Sequence, residues 1–97
     1  MERFFNLTQE SRTLKLENKL GLHARAAAAF VKVVNQFKSK ISVEYRGQLV
    51  SGESILDLLT LSCSKGETLL VRAEGPDAVP ALNELEKLVK NKFGEEA

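Results

Sequence analysis

Hydrophobic and polar positions alternate from Thr13 onward, Leu14 and Leu16 against Lys15 and Glu17, which is the period of a half-buried strand. A loop over 18–22 containing Gly21 follows. Ala27, Phe30, Val31 and Val34 then recur at i, i+3, i+4 and i+7, with Phe37 next in line, and predict an amphipathic helix of about four turns. Ile41, Val43 and Tyr45 alternate with Ser42 and Glu44. Arg46-Gly47 breaks that run, and Leu49-Val50 resumes it as the second arm of a hairpin.

Ser54, with Asp57 three residues later, has the chemistry of a cap opening a short helix; Ile55, Leu58 and Leu59 lie on one side of it and Leu56 faces elsewhere. Gly66 ends that turn, and 67–74 read as a strand through Leu69, Val71 and Ala73. The last helix buries Ala78, Leu82, Leu85 and Val89. Pro80 has no N–H to give and is tolerated only in a first turn, so Asp77 is the expected N-cap, and Gly94 is the expected left-handed stop. The order strand, helix, strand, strand, helix, strand, helix implies an α+β fold: a βαββαβα open-faced sandwich, its four-stranded, mostly antiparallel sheet carrying three helices on one face. Residues 1–12 show no clean period, which suits an irregular arm or a short added strand, and are read as an N-terminal extension of unassigned role, with 13–97 as the domain.

Composition narrows the function. Ninety-seven residues fit one domain. Fourteen Lys plus Arg against thirteen Asp plus Glu give a net charge of +1, too little field for a general nucleic-acid binder. Tyr45 is the one strand aromatic, whereas RNA-stacking sheets use two or three. The longest apolar run, Ala26 to Val31, falls far short of the roughly 20 residues a bilayer span needs. The opening Met1-Glu2-Arg3-Phe4-Phe5 does not read as a secretory signal, so a cytoplasmic protein is expected. A lone cysteine, Cys63, reads as a small buried hydrophobe. No acid pair, metal cluster or phosphate loop is present, so neither an enzyme with its own turnover nor a metal or other cofactor is expected. Lys87, Lys90 and Lys92, offset by Glu84 and Glu86, read as a solvated face with a Glu86–Lys90 pair.

The single histidine, His23, falls at the junction between the Gly21 loop and the first helix. As N-cap it stands beside the unpartnered N–H groups of Arg25 and Ala26, at the positive end of the helix dipole, where anions bind. The same field favours a neutral imidazole, the form that can attack phosphorus. A phosphoryl group on the ring would meet those amides and the Arg25 guanidinium. Ala24 and Ala26 to Ala29 are small and are expected to leave the helix end uncluttered for a partner.

The string Gly21-Leu22-His23-Ala24-Arg25-Ala26-Ala27, followed by Ser54-Ile55-Leu56, Gly66 before a strand and Gly75-x-Asp77 before the last helix, resembles the HPr phosphocarrier family over about residues 13–93. The resemblance implies a histidine phosphocarrier of the phosphoenolpyruvate-dependent sugar phosphotransferase system, a stoichiometric carrier in the cytoplasm. It would accept phosphate from enzyme I on the δ nitrogen of His23 and pass it to an enzyme IIA-type protein, with Arg25 as charge partner. Ser54 matches the serine that, in part of the family, an ATP-dependent kinase phosphorylates as a brake. Such a phosphate would sit favourably at the positive helix end and present a new negative charge to an acidic partner, without disrupting the fold. Ile55, Leu56 and Leu59 are candidate docking residues; Ile55 and Leu59 are expected to turn mainly inward. A monomer is expected. Ala26 stands where proline is usual, and Asn35 and Asp57 stand where cations are common. An HPr-like regulatory protein, acting in nitrogen or carbon control by protein binding alone, is the alternative, and the presence of His23 argues against a role wholly free of phosphate.

Overall fold

The structure, a computed structural model, describes residues 8–97. Strand β1 (Thr8–Lys15) leads to helix α1 (Ala24–Val34), strands β2 (Lys40–Tyr45) and β3 (Gln48–Ser51), helix α2 (Ile55–Leu59), strand β4 (Thr68–Gly75) and helix α3 (Ala78–Lys90), with a 3₁₀ turn at Lys92–Gly94. The sheet order is β1-β4-β2-β3. Every neighbouring pair is antiparallel, so the expected open-faced sandwich forms with no parallel pairing at all. Register aligns the apolar positions across strands: Leu14 opposes Leu69, Val43 opposes Val71, and Ile41 opposes Ala73. That face is buried under the helices together with Phe30, Leu58, Leu82 and Leu85. Burying it is the main favourable term for a chain this small, at about 25 cal/mol per Å² of apolar surface.

Four local expectations are corrected. The first strand begins at Thr8 rather than Thr13, because Thr8 to Arg12 pair with Gly75 to Val71 through backbone bonds that apolar periodicity does not report. Arg12 falls on the helix side of this edge strand, where its Nη1 donates to Asn83 Oδ1 (2.6 Å) and Glu86 Oε1 (3.0 Å) of α3. A boundary at residue 12 therefore cuts through an element; residues 1–7 of the expected extension lie outside the described residues. Helix α1 ends at Val34, capped at Asn35, about three turns long, and Phe37 packs half-buried beyond it. Helix α3 stops at Lys90, four residues before Gly94: Lys92, Phe93 and Gly94 all have positive φ, and the reversal buries the Phe93 ring. In α2, Leu58 is wholly buried while Ile55 is 39% exposed, because so short a helix seats one inward side chain.

Asp77 occupies the N-cap position of α3 as expected, but its carboxylate does not cap that helix. It accepts instead from the N–H groups of Lys38 (2.9 Å) and Ser39 (2.8 Å) and from the Ser39 hydroxyl (2.5 Å), tying the α1–β2 turn to the start of α3. Gly75 has φ +149°, and a Cβ there would lie 2.7 Å from Ser39 Cα, so the same turn needs glycine beside it. The Ser39 hydroxyl first, then the Lys38 amide, hold the Asp77 carboxyl below its ordinary 3.8. The Glu86–Lys90 pair forms at 3.3 Å.

Two outcomes follow for stability. A folded-state pKa below the unfolded one gives stabilisation that is full above pH 3.8 and is lost as pH falls through the lowered value. The difference in urea midpoint between the wild type and Asp77→Asn is therefore expected to shrink from pH 7 to pH 3; an unchanged difference would contradict it. Gly21 has φ +67° and its Cβ would meet the Cys63 carbonyl oxygen at 2.6 Å, whereas Gly66, φ +89°, faces open space. Gly66→Ala is expected to cost about 1–2 kcal/mol from its left-handed backbone, and Gly21→Ala a further 1–3 kcal/mol or so from overpacking. Denaturant titration of the two variants checks the order.

Candidate functional site

The candidate site is set where the loop after β1 meets helix α1. Two segments are laced together by backbone bonds: Leu16 N–H donates to the Glu67 carbonyl, Gly66 N–H to Leu16, and Leu22 N–H to Cys63. The left-handed Gly21 lets the chain press against the Cys63–Ser64 backbone and then turn into α1. Cys63 lies inside this contact, and burial pushes its thiol up to about 11, consistent with the structural role expected for it.

His23 is the N-cap of α1 with extended backbone (φ −88°, ψ −177°), as its place in the sequence implied. Its carbonyl accepts the first helical bond, from Ala27 N–H at 2.8 Å, while its ring makes no capping bond. The N–H groups of Arg25 and Ala26 consequently have no protein acceptor among the described residues. The imidazole is 24% exposed, neither sealed in the core nor free in solvent. Arg25 extends outward with 76% of its side chain exposed. Ala26 and Ala27 are fully enclosed and serve the core, so the small-residue run is not a clear platform: Ala24 and Ala28 face solvent and Ala29 is half-buried.

A residue that the sequence did not single out completes the site. The His23 ring Nε2 lies 2.5 Å from Glu95 Oε2, within hydrogen-bond distance. Arg25 Nε lies 3.8 Å from the same oxygen. Asn18, wholly buried, divides its amide between the Gly21 carbonyl (2.7 Å) and Glu95 Oε1 (3.0 Å). Lys19 N–H donates to the Ala97 carbonyl oxygen at 2.9 Å and fixes the same segment from the other side. The His23 hydrogen bond above all holds the Glu95 carboxyl below its ordinary 4.5; partial burial opposes this, and Asn18 and Arg25 reinforce it. The carboxylate is thus ionised at neutral pH. Seventy-two positions separate His23 from Glu95, and nothing local to either marks the pair.

Ser54 is the N-cap of α2, as expected, and its Oγ accepts from Asp57 N–H at 3.1 Å. Of the three docking candidates, Leu56 is 75% exposed and Ile55 is exposed, while Leu59 is half-buried against the core. Leu20, not anticipated, is a further exposed apolar side chain. Among the described residues there is no cluster of three or more His, Cys, Asp or Glu able to hold a metal ion, and no helix long and apolar enough to cross a membrane.

Known proteins share this architecture. Residues 10–91 match the family described as "PTS HPr component phosphorylation site". The phosphocarrier protein HPr of Xylella fastidiosa is 37% identical over 83 residues, covering 86% of this chain and 93% of that protein. HPr of Borreliella burgdorferi is 44% identical over 71 residues, 73% and 83% of the two chains. A crystal structure of HPr from Thermoanaerobacter tengcongensis superposes with a TM-score of 0.86 at 40% identity, covering 91% of this chain and 99% of that one. A four-stranded antiparallel sandwich, a lone histidine at the tip of α1 and this breadth of likeness place the chain in the HPr family of phosphocarriers of the phosphotransferase system.

Proposed function

We propose that His23 accepts a phosphoryl group from phosphorylated enzyme I and passes it to an enzyme IIA-type protein. The observation that carries this reading is the partly exposed imidazole at the N-cap of α1, next to helix N–H groups without protein acceptors among the described residues and next to Arg25. A dianion on the ring meets the positive end of the dipole, with charge-assisted hydrogen bonds worth about 1.5–3 kcal/mol each. A few such terms hold the adduct yet leave it transferable. Arg25, mostly exposed, adds a charge that swings over the phosphoryl oxygens without desolvation. The chain acts as a stoichiometric carrier in the cytoplasm and as a monomer. Ile55, Leu56 and Leu59 beside α1 supply the apolar part of the docking surface. Phosphorylation of Ser54 by a serine kinase would set a dianion at the start of α2 and oppose an acidic partner.

Incubation with enzyme I, Mg²⁺ and labelled phosphoenolpyruvate is expected to give acid-labile, base-stable label on the wild type and none on His23→Ala. Label retained by that variant would move the chemistry elsewhere; none on the wild type with several enzyme I proteins would favour a regulatory module that works by binding alone. Arg25→Ala is expected to slow uptake of label on the order of tenfold. Ala26→Pro deletes an N–H at a first-turn position that tolerates proline, and a several-fold shorter adduct half-life is expected if that amide holds the phosphoryl group; equal half-lives would assign the amide no part in it.

A further inference from the structure

We infer that Glu95 is a positioning residue for phosphoryl transfer at His23, taking the Nε2–H of the imidazole and leaving the lone pair on Nδ1. The inference rests on the reading of His23 as phosphoacceptor. A neutral imidazole has one N–H and one lone pair, and an ionised carboxylate can only accept. With Glu95 Oε2 at 2.5 Å from Nε2, the proton belongs there. Nδ1 makes no hydrogen bond among the described residues, so its lone pair is unengaged.

The carboxylate is itself held in place. Asn18 grips its other oxygen, Lys19 anchors Ala97 two residues on, and the buried Phe93 pins the turn that delivers the segment. Ring orientation is therefore set by a network rather than by a free side chain. The same Asn18 amide also holds the Gly21 carbonyl, so the turn before His23 and the acceptor of its ring proton share one buried support.

The transfer then needs no proton to move. The Nδ1 lone pair attacks phosphorus, the bond to the donor breaks with its electron pair returning to the donor, and the ring becomes an N-phosphoimidazolium that keeps Nε2–H. Glu95 faces that new positive charge. In the onward step the acceptor attacks phosphorus, the P–Nδ1 pair returns to the ring, and a neutral imidazole departs with Nε2–H still bonded to Glu95. Without the carboxylate, the phosphorylated ring loses its Nε2 proton more readily and must leave as an anion, a far poorer leaving group.

The test uses the full chain, ¹⁵N-labelled, as wild type, Glu95→Ala and Glu95→Gln. Long-range ¹H–¹⁵N spectra of His23 are expected to show a strongly downfield Nε2–H in the wild type, a weaker one in Glu95→Gln, whose amide oxygen still accepts, and none in Glu95→Ala. Onward transfer of label to the acceptor is expected to slow on the order of tenfold in Glu95→Ala, with partial rescue in Glu95→Gln. Ring spectra identical in wild type and Glu95→Ala, or changed spectra with unchanged transfer rates, would overturn the role. Absence of label on the wild type would instead overturn the phosphoacceptor reading, an outcome the ring spectra do not depend on.

Discussion

The packing of Gly21 against the Cys63–Ser64 backbone governs where everything chemical in this protein lies. A left-handed glycine with no Cβ allows two backbones to touch, and the Leu22–Cys63, Leu16–Glu67 and Gly66–Leu16 hydrogen bonds lock that contact. It sets the point at which helix α1 begins, and hence which residue becomes the N-cap. One residue of slippage would hand the cap to Leu22 or Ala24 and turn the imidazole away from the helix tip. Enclosed Ala26 and Ala27 and the Phe30 ring then hold the helix axis against the sheet.

Much of this is legible in the sequence, because helical and strand periods survive wherever a face is buried. Phe30, Val31 and Val34, or Leu69, Val71 and Ala73, can point inward only in one register. His23 at a glycine-preceded helix start was legible for the same local reason. Residues 8–12 were not, since Thr8 to Arg12 are polar and join the sheet through backbone pairing and through Arg12's contact with α3. Local sequence marks Asp77 as a cap position, yet its carboxylate serves Lys38 and Ser39 across the fold, a choice made by tertiary geometry. The exposure of Ile55 is not legible because periodicity on a five-residue helix cannot say which of Ile55, Leu58 and Leu59 turns inward.

The site shows the same division between local and distant information. Its nucleophile candidate and its helix amides are neighbours in sequence, whereas the Glu95 carboxylate and the Asn18 amide that steadies it come from opposite ends of the described chain. Left-handed backbone at Lys92 and Phe93 brings Glu95 there. That strained reversal is compensated by burying the Phe93 ring.

The long-range pairing of β1 with β4 has a further bearing on biosynthesis. Thr8 faces Gly75, so the first strand has no sheet partner until β4 has left the ribosome. Such high contact order slows folding and leaves an unpaired edge waiting in the nascent chain. Residues 8–12 are polar, with Glu10 and Arg12 among them, and charged side chains disfavour edge-to-edge association, so a stretch with no apolar period suits an edge that pairs late.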